Sequence, residues 1–457
     1  MRTEHVDVVV VGWGKAGKTL AGALGRRGRR VALVERDAAM VGGTCINVAC
    51  VPTKALIHDA DARRPEDDVQ SWFDAAVQRR DSLTTTMRSR NHALLADVES
   101  VLLVSGEARF TGARELEVTA GDDRLRLTAD AVVINTGSSP ALPSVPGAVV
   151  GGRVHDSTSL QHVSPFPRRL VVVGGGYVGL ELASMFAHFG AAVTVLDRGP
   201  RPLRAEDPDV AEVATEALVD AGVRFVQRAS VVRVDDGADA ATVTYRLDDA
   251  EHEIDAEAVL LAVGRRPETD GLGLDAAGVE VASDGAVVVD GHLRTTAEGV
   301  YAVGDVKGGP QFTYVSLDDH RIVLDDLAGA GTRTVSDRRA VPYTLFLTPP
   351  LARVGLTETE ARDRGLDVRV ATRRVAEIAA MPRPRIEGDA RGIVKVVVDA
   401  GTDRVVGAAL MHVDSHEVIN LVALAMRAGV PASELRDGIW THPSSTEALN
   451  EVLGAVR

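Results

Sequence analysis

Residues 6–17 read VDVVVVGWGKAG, an apolar run that leads directly into a glycine-rich turn. A helical pattern follows, and the next apolar run ends at Glu35. In this context Gly12 permits the tight turn, Gly14 lets the backbone approach a pyrophosphate, and Gly17 lets helix and strand pack closely. The N–H groups at the helix start can bind phosphates, and Glu35 can accept hydrogen bonds from an adenosine ribose. The segment therefore predicts a dinucleotide-binding strand–helix–strand unit.

The same unit recurs at residues 170–179, which read LVVVGGGYVG. Its fingerprint glycines are Gly174, Gly176 and Gly179, and the strand after its helical pattern ends at Asp197. Two complete fingerprints predict two bound dinucleotides. A dehydrogenase that uses only a nicotinamide needs one such site, whereas a flavoprotein reduced by a nicotinamide needs two.

Three later segments are apolar strands that end in a glycine or an acid: 131–137 (AVVINTG), 258–264 (AVLLAVG) and 300–305 (VYAVGD). The first two are expected to complete the two nucleotide-binding domains. An exposed turn is the alternative interpretation of Asp305, but ligands bind at the carboxyl ends of parallel strands in such folds. The strand-end residues that we expect to contact the dinucleotides are Thr136, Gly137, Gly264 and Asp305.

The chain contains two cysteines, Cys45 and Cys50, both within residues 42–54 (GGTCINVACVPTK). Two buried cysteines acting as small apolar residues are one interpretation. A metal site is less favoured, because no further ligands cluster near the pair. Disulfides are rare in cytosolic proteins and are usually catalytic or redox-sensing when they occur there. Beside two dinucleotide sites, we interpret the pair as a redox-active dithiol/disulfide.

Composition excludes several classes of function. The net charge of −14 and the isoelectric point of about 5.4 argue against nucleic-acid binding. No uncharged apolar run reaches the roughly 18 residues that a membrane-spanning helix needs. The N-terminal residues 1–5 lead straight into the first apolar strand, so we expect no signal peptide and a cytoplasmic protein.

Together these motifs resemble the class I pyridine nucleotide–disulfide oxidoreductases, the family of glutathione reductase, lipoamide dehydrogenase and mercuric reductase. The segments that carry the resemblance are residues 43–54, both fingerprints, residues 304–305 (GD) and residues 441–447 (THPSSTE). A closer resemblance is to the RclA-like flavoprotein reductases of reactive-chlorine resistance. It rests on residues 14–19 (GKAGKT), 58–60 (HDA), 311–319 (QFTYVSLDD), 348–350 (TPP), 413–417 (VDSHE) and 447–450 (EALN).

The resemblance implies an α/β fold with two Rossmann-like dinucleotide-binding domains, one for FAD and one for NAD(P), and a C-terminal α+β dimerisation domain. We expect the FAD-binding domain over residues 1–148 and 268–335. The NAD(P)-binding domain is expected over residues 149–267 and the interface domain over residues 336–457. The protein is expected to form a homodimer.

The resemblance also implies the roles of the redox residues. Cys45 is expected to be the interchange thiol that meets the substrate, and Cys50 the sulfur next to the flavin. His442 is expected to be the acid/base that protonates the leaving thiolate, with Glu447 fixing one tautomer of its ring. A surface histidine would be the alternative for His442 outside this motif.

Further expectations concern the flavin site. Lys54 and Glu181 are expected to form an ion pair beside the flavin, with surface salt bridges as the alternative. Tyr177 is expected to cover the flavin until the nicotinamide displaces it, with core packing as the alternative. Other residues expected to contact the cofactor are Gly43, Thr44, Lys54 and Ala108.

The leading hypothesis is an NAD(P)H-dependent flavoenzyme that reduces a small oxidant, a disulfide or a metal ion such as Cu(II). The alternatives are a lipoamide dehydrogenase subunit of an acyl-transfer complex and a non-enzymatic flavoprotein redox sensor. No cysteine follows Cys50, so we do not expect mercuric reduction through a terminal cysteine pair. His412 and His416 lack a third ligand, and we predict no metal site there. Asp197 favours NADH over NADPH, although the nearby Arg198 and Arg201 could reverse this preference.

Overall fold

The computed structural model describes residues 2–456. The first half of the chain forms β1 (Arg2–Val11), α1 (Lys15–Gly25), β2 (Val31–Glu35), α2 (Thr44–Asn47), α3 (Cys50–Asp61), α4 (Val69–Ala96), β3 (Val101–Ser105), β4 (Glu107–Gly112), β5 (Glu115–Ala120), β6 (Asp123–Ile134), β7 (Ser138–Pro140), β8 (Val154–His155), β9 (Arg169–Val173), α5 (Tyr177–Phe189), β10 (Ala192–Asp197), α6 (Pro208–Asp220) and β11 (Val223–Gln227).

The second half forms β12 (Ser230–Asp236), β13 (Ala241–Leu247), β14 (Ala250–Ala256), β15 (Ala258–Leu261), β16 (Arg265–Pro267), α7 (Leu274–Ala277), β17 (Val300–Ala302), α8 (Thr313–Ala328), β18 (Tyr343–Leu345), β19 (Leu351–Gly355), α9 (Glu358–Asp363), β20 (Val368–Arg374), α10 (Arg383–Ile386), β21 (Ile393–Asp399), β22 (Arg404–Met411), α11 (Ser415–Ala428), α12 (Ala432–Arg436) and α13 (Ala448–Gly454).

The chain forms two compact units. The first contains residues 2–56, 74–141 and 264–337, and the second contains residues 57–73, 142–263 and 338–456. The boundaries near 141 and 264 lie close to the boundaries that the sequence predicts for the inserted nucleotide domain. The division into three domains stays a prediction.

The first unit is built on a sheet with strand order β3-β2-β1-β6-β5-β4, and β17 also pairs with β6. The pairings β1–β2, β1–β6 and β6–β17 are parallel, and Val11 aligns with both Val34 and Ile134. The carboxyl ends of β1, β6 and β17 therefore meet at one edge of the sheet. In open α/β sheets this edge is where ligands bind.

The valine run of β1 is explained by burial on both faces. Val9 and Val11 belong to one apolar core, and Val8 and Val10 belong to another. Successive side chains of a strand point to opposite faces, so a strand that is covered on both sides has no polar alternation. The apolar run thus reflects helices and loops packed on each face of the sheet.

The second unit contains a parallel sheet of order β11-β10-β9-β15-β8 beside a small antiparallel sheet, β12-β13-β14. It also contains an antiparallel sheet of order β18-β19-β22-β21-β20. The core of this last sheet is formed with α11 and α13, through residues such as Val394, Leu410, Ile419 and Val452. No helix among residues 2–456 is both long and apolar enough to cross a bilayer.

Candidate active site

The first fingerprint turn is packed against the end of β6. The backbone φ of Gly12 is +102°, and a Cβ on this residue would lie 2.5 Å from the carbonyl oxygen of Asn135. The Asn135 side chain donates from Nδ2 to the Gly12 carbonyl at 2.9 Å. The same amide would lie 2.7 Å from a Cβ on Gly14 and 2.5 Å from one on Gly17. Asn135 thus lies against all three fingerprint glycines, a contact that the sequence analysis did not predict.

Glu35, at the end of β2, holds the fingerprint loop. Its Oε2 accepts a hydrogen bond from the Trp13 backbone N–H at 2.9 Å, and its Oε1 accepts from the Asp37 N–H at 3.1 Å. An ionised carboxylate has about four acceptor sites. Glu35 therefore retains lone pairs for the ribose that the sequence predicts at this position.

The closing strands bring further predicted residues to the same edge. Thr136 donates from its hydroxyl to the Glu268 carbonyl at 2.6 Å. Gly137 has a φ of +76° and open space where a Cβ would stand. The half-buried Asp305 accepts a hydrogen bond from the Ser138 hydroxyl at 2.8 Å.

Ala108 lies two residues after Gly106, whose backbone N–H donates to the Glu35 carbonyl at 2.9 Å. It is buried in the core of the first unit, where it pairs with Val118 in the β4–β5 hairpin. Its side chain is enclosed by protein, so the contact with the cofactor predicted for Ala108 would have to be made by its backbone.

The two cysteines occupy adjoining short helices. Cys45 lies in α2, and Cys50 is the first residue of α3. Both are in the thiol form, with Cys45 half-buried and Cys50 exposed. A hydrogen bond to Cys50 and burial raise the pKa of the Cys45 thiol, while a hydrogen bond to Thr313 and the charge of Lys18 act in the opposite direction. The structure thus brings the two predicted redox sulfurs together.

Thr313 was not identified from the sequence as a residue of this site. It is the first residue of α8, and its Oγ1 lies 3.7 Å from the Cys50 sulfur. Negative charge is favoured at helix N-termini. The start of α8 therefore provides a polar environment for a dithiol that becomes anionic.

The segment around the cysteines is fixed by local hydrogen bonds. Thr44 is the first residue of α2, and Asn47 is its last. The Asn47 amide donates to the carbonyls of Val41 at 2.9 Å and Gly43 at 3.0 Å. These bonds close the turn onto the helix and hold Cys45 in place.

Lys54 and Glu181 each lie on a helix next to predicted site residues. Lys54 is half-buried in α3, about one helical turn after Cys50. Glu181 is in α5, and its Oε1 accepts a hydrogen bond from the Phe346 backbone N–H at 2.7 Å. The ion pair predicted between Lys54 and Glu181 stays a prediction.

The second fingerprint has the same steric logic as the first. Gly174 has a φ of +113°, and a Cβ there would collide with the Ala262 carbonyl. A Cβ on Gly179 would collide with the Gly174 carbonyl, whereas Gly176 faces open space. Gly264, at the end of the closing segment, also faces open space, with a φ of +137°. The free volume at Gly176 is where a pyrophosphate could approach the backbone.

Asp197, at the end of β10, is only 6% exposed. It lies against Gly175 of the fingerprint, where a Cβ would collide with its carboxylate. Its Oδ1 accepts a hydrogen bond from the Gly199 backbone N–H at 2.8 Å. This placement matches that of Glu35 in the first unit.

Tyr177 belongs to a polar cluster that the sequence did not reveal. Its hydroxyl lies 3.1 Å from Glu206 Oε1 and 3.0 Å from the Tyr343 hydroxyl. Arg353 lies 3.4 Å from the other oxygen of Glu206. Burial, with the nearby Glu206 charge, raises the pKa of Tyr177 to about 12, so the phenol is neutral at physiological pH. The predicted role of Tyr177 as a flavin cover stays a prediction.

His442 and Glu447 are in contact. His442 Nδ1 lies 2.9 Å from Glu447 Oε1, and the Ser444 backbone N–H donates to Glu447 Oε2 at 2.8 Å. Burial favours the neutral acid, but the hydrogen bonds from His442 and Ser444 outweigh it and hold the pKa of Glu447 below its usual value. The His442–Pro443 peptide bond is cis. The contact with Glu447 fixes the ring through Nδ1, and the His442 side chain is 71% exposed.

His412 and His416 differ in environment. His412 is fully buried, its Nδ1 contacts the Val413 carbonyl, and burial lowers its pKa to about 4. The His416 ring lies 5.9 Å from that of Phe346. Within the described residues 2–456, no group of three or more His, Cys, Asp or Glu side chains could hold a metal ion.

Comparison with known proteins assigns this site to a family. Residues 6–319 match the family model described as pyridine nucleotide-disulphide oxidoreductase, and residues 341–453 match its dimerisation domain. The chain is 44% identical over 452 residues to the probable pyridine nucleotide-disulfide oxidoreductase RclA of Escherichia coli K12, covering 99% of each chain. It is 31% identical over 456 residues to a mercuric reductase of Lysinibacillus sphaericus, covering 98% of this chain and 82% of that protein.

A solved structure extends the comparison to three dimensions. It is the Cu(II) complex of the HOCl-induced flavoprotein disulfide reductase RclA from Escherichia coli, with a TM-score of 0.93 and 44% sequence identity. The match covers 99% of this chain and 100% of that chain. The protein therefore belongs to the pyridine nucleotide-disulphide oxidoreductase family, is a flavoprotein disulfide reductase that uses FAD and NAD(P)H, and carries the family's dimerisation domain.

Proposed function

We propose that this enzyme passes electrons from NAD(P)H through the Cys45–Cys50 pair to a small oxidant, a disulfide or a metal ion such as Cu(II). The observation that carries the proposal is the placement of two thiols at adjoining helix positions, with the Thr313 hydroxyl 3.7 Å from Cys50. The partial exposure of Cys45 suits a small acceptor that reaches this sulfur from solvent.

The fingerprints fit the two dinucleotides. The open space at Gly137 and Gly176 leaves the backbone free to approach phosphate groups, and Glu35 and Asp197 stand at the ends of the neighbouring strands. When bound, FAD supplies the two-electron link between the nicotinamide and the disulfide. The residues of the chain hold both groups and control the protons and charges on sulfur.

The proposed roles on sulfur follow from the positions of the side chains. Two electrons cleave the Cys45–Cys50 bond and leave one thiolate and, after uptake of a proton, one thiol. Thr313 can donate a hydrogen bond to either sulfur when that sulfur is anionic, since it lies next to both Cys50 and Cys45. His442 is the proposed proton carrier, since Glu447 fixes Nδ1 and leaves the other nitrogen to exchange a proton with the interchange thiol.

Reoxidation of the pair would reduce the acceptor. When the thiolate and the thiol return to the disulfide, they release two electrons and one proton, so two Cu(II) ions would become two Cu(I) ions for each NAD(P)H consumed. The similarity to an RclA described as a Cu(II) complex supports metal-ion reduction as one outcome. A cytoplasmic location is part of the proposal, because that compartment keeps thiols reduced.

The test is a panel of acceptors at fixed NADH concentration, with the purified flavin-loaded enzyme. The acceptors are an aromatic disulfide, Cu(II) with a Cu(I)-specific chelator, and hypochlorite. We expect NADH oxidation with at least one of them, and about two Cu(I) per NADH if Cu(II) is reduced. Free FAD at the same concentration is the control for non-enzymatic transfer.

Two results would overturn the proposal. One is rapid reduction of NAD+ by dihydrolipoamide without turnover of any other acceptor, which would identify a lipoamide dehydrogenase. The other is the absence of turnover with every acceptor while the pair still cycles between disulfide and dithiol, which would identify a redox sensor.

A further inference from the structure

Lys18, in the first turn of α1, directs its ammonium group at two neutral oxygens. Its Nζ donates hydrogen bonds to the Gly42 carbonyl at 2.8 Å and to Asn91 Oδ1 at 2.6 Å. Within residues 2–456, Lys18 forms no ion pair. Both of its partners are neutral oxygens, which orient the ammonium group without cancelling its charge. Partial burial of a cation without a counter-ion costs free energy of folding, so the presence of Lys18 at this position requires an explanation.

The position of Gly42 connects this charge to the redox pair. Gly42 has a φ of +96° and begins the turn that leads through Gly43 and Thr44 to Cys45. The ammonium group therefore lies against the segment that carries the interchange thiol. The hydrogen bond to Cys50 and burial raise the pKa of Cys45, and the charge of Lys18 opposes them by favouring the thiolate.

Helix α4 supplies a neutral amide and a cation to the surroundings of α2. Asn91 receives the Lys18 hydrogen bond, and one turn earlier Arg88 donates from Nε to Asn47 Oδ1 at 3.0 Å. The surroundings of the short helix with Cys45 thus include two cations, Lys18 and Arg88, and the neutral amide of Asn91. Burial, together with the charge of Lys15, lowers the pKa of Lys18 to about 8. Lys18 is therefore still protonated at neutral pH.

We propose that Lys18 is a positioning residue for the disulfide chemistry, which fixes the turn before Cys45 and stabilises the thiolate that Cys45 forms on reduction. The reduction breaks the S–S bond with two electrons from NAD(P)H. It leaves a thiolate on one sulfur and, with one proton from solvent, a thiol on the other. The inference rests on the proposed role of Cys45 as a redox thiol.

The test measures Cys45 directly. In a flavin-loaded Cys50→Ser background, Cys45 is the only thiol, and its rate of alkylation by iodoacetamide follows its thiolate fraction. Lys18→Met removes the charge and keeps an apolar stem, whereas Lys18→Arg keeps the charge. Arg26→Met, eight residues along and about 12 Å away by helical rise, is the control for loss of a remote cation.

We expect Lys18→Met to slow alkylation at pH 7 at least about fivefold and to move the pH profile of the rate to higher pH, since a pKa rise of one unit costs about tenfold in thiolate. Lys18→Arg should restore most of the rate, and Arg26→Met should match the parent. If Lys18→Met does not fold, Asn91→Asp gives the same test. It places a carboxylate on the existing hydrogen bond to Nζ, and the alkylation rate should fall.

An unchanged alkylation profile in a folded Lys18→Met protein would overturn the inference, and so would an equal loss of rate in Lys18→Arg. If Lys18 only fixed the turn and did not affect the thiolate, Lys18→Met would lower the melting temperature without moving the pH profile of the alkylation rate. Failure of the proposed function would give a different result from failure of this inference. If Cys45 is not a redox thiol, Cys45→Ser will still reduce the acceptor, whatever the alkylation experiment shows.

Discussion

A Cβ atom on Gly43 would lie 2.7 Å from the Cα of Gly14. The turn before Cys45 therefore rests on the first fingerprint, backbone against backbone. The φ of Gly43 is +87°, a conformation that residues with a side chain rarely adopt. The turn before Cys45 and the dinucleotide loop are consequently in a contact that requires glycine at position 43.

Gly43→Ala should therefore damage both sites at once. We expect the free energy of unfolding to fall by about 2–4 kcal/mol, since the substitution combines backbone strain with a collision against main-chain atoms. The flavin-to-protein ratio should fall as well. Gly28→Ala is the matched control, because Gly28 has a φ of +81° but open space around its Cβ position. This control should lose only about 1–2 kcal/mol and keep its flavin. Full flavin occupancy in Gly43→Ala would contradict the coupling.

Cys45→Ser should separate the two half-reactions. Reduction of the flavin by NAD(P)H should proceed, because transfer of hydride does not require the interchange thiol. Reduction of the acceptor through the disulfide should be lost. Stopped-flow bleaching of the flavin absorbance and steady-state turnover measure the two steps separately. Loss of the bleaching step in a folded, flavin-loaded variant would show that the assignment of Cys45 is wrong.

The variant Glu447→Gln tests whether the Glu447 carboxylate is needed to stabilise the protonated His442 ring. The glutamine side chain has nearly the same shape and can still form a hydrogen bond, but it is neutral and cannot stabilise an imidazolium. We therefore expect turnover to fall at least about tenfold. The lowered pKa of Glu447 also predicts a pH effect on stability. Its contribution is present above the carboxyl's usual pKa and is lost as the pH falls through the lowered value. The difference in melting temperature between wild type and Glu447→Gln should therefore shrink in acid. A difference that grows in acid would contradict this sign.

A mixed dimer tests the shared active site that the family resemblance predicts. The exposed His442 ring is expected to act on the disulfide of the other subunit, so each site would need Cys45 and the partner subunit's His442. Cys45→Ser and His442→Ala should each be inactive alone. Subunit exchange should restore activity, because one of the two sites in the mixed dimer is intact. Proven exchange without recovery would rule out the shared site.

NADH should be preferred over NADPH. Asp197 can accept a hydrogen bond from a ribose 2′-hydroxyl and would repel a 2′-phosphate. Arg201 is engaged in its own loop, where its guanidinium donates to the carbonyls of Leu203 and Glu206 at 2.8 Å each. Comparison of kcat/KM for the two donors measures the preference. A tenfold preference for NADPH would show that the exposed Arg198 dominates, and Arg198→Ala should then abolish that preference.

Several features were predictable from the sequence because they depend on neighbouring residues. The fingerprint glycines, the apolar strands and the order of elements follow from backbone sterics and from burial on both faces of a parallel sheet. The contact between His442 and Glu447 joins residues five apart, and the cysteines share a short segment, so both sites could be recognised as local patterns. The chemistry assigned to these two sites came from the resemblance to a known family, and the roles of their residues stay predictions.

Other features were decided only by the tertiary structure. Asn135 lies beside Gly12 because β1 and β6 pair in parallel, and Thr313 meets Cys50 across 263 positions of sequence. Nothing in the local pattern of either residue marks such a partner. The sequence alone could state which backbone turns and reactive groups are present. Which side chains surround them depends on the packing of distant strands and helices, because burial and charge at a site are properties of the whole fold.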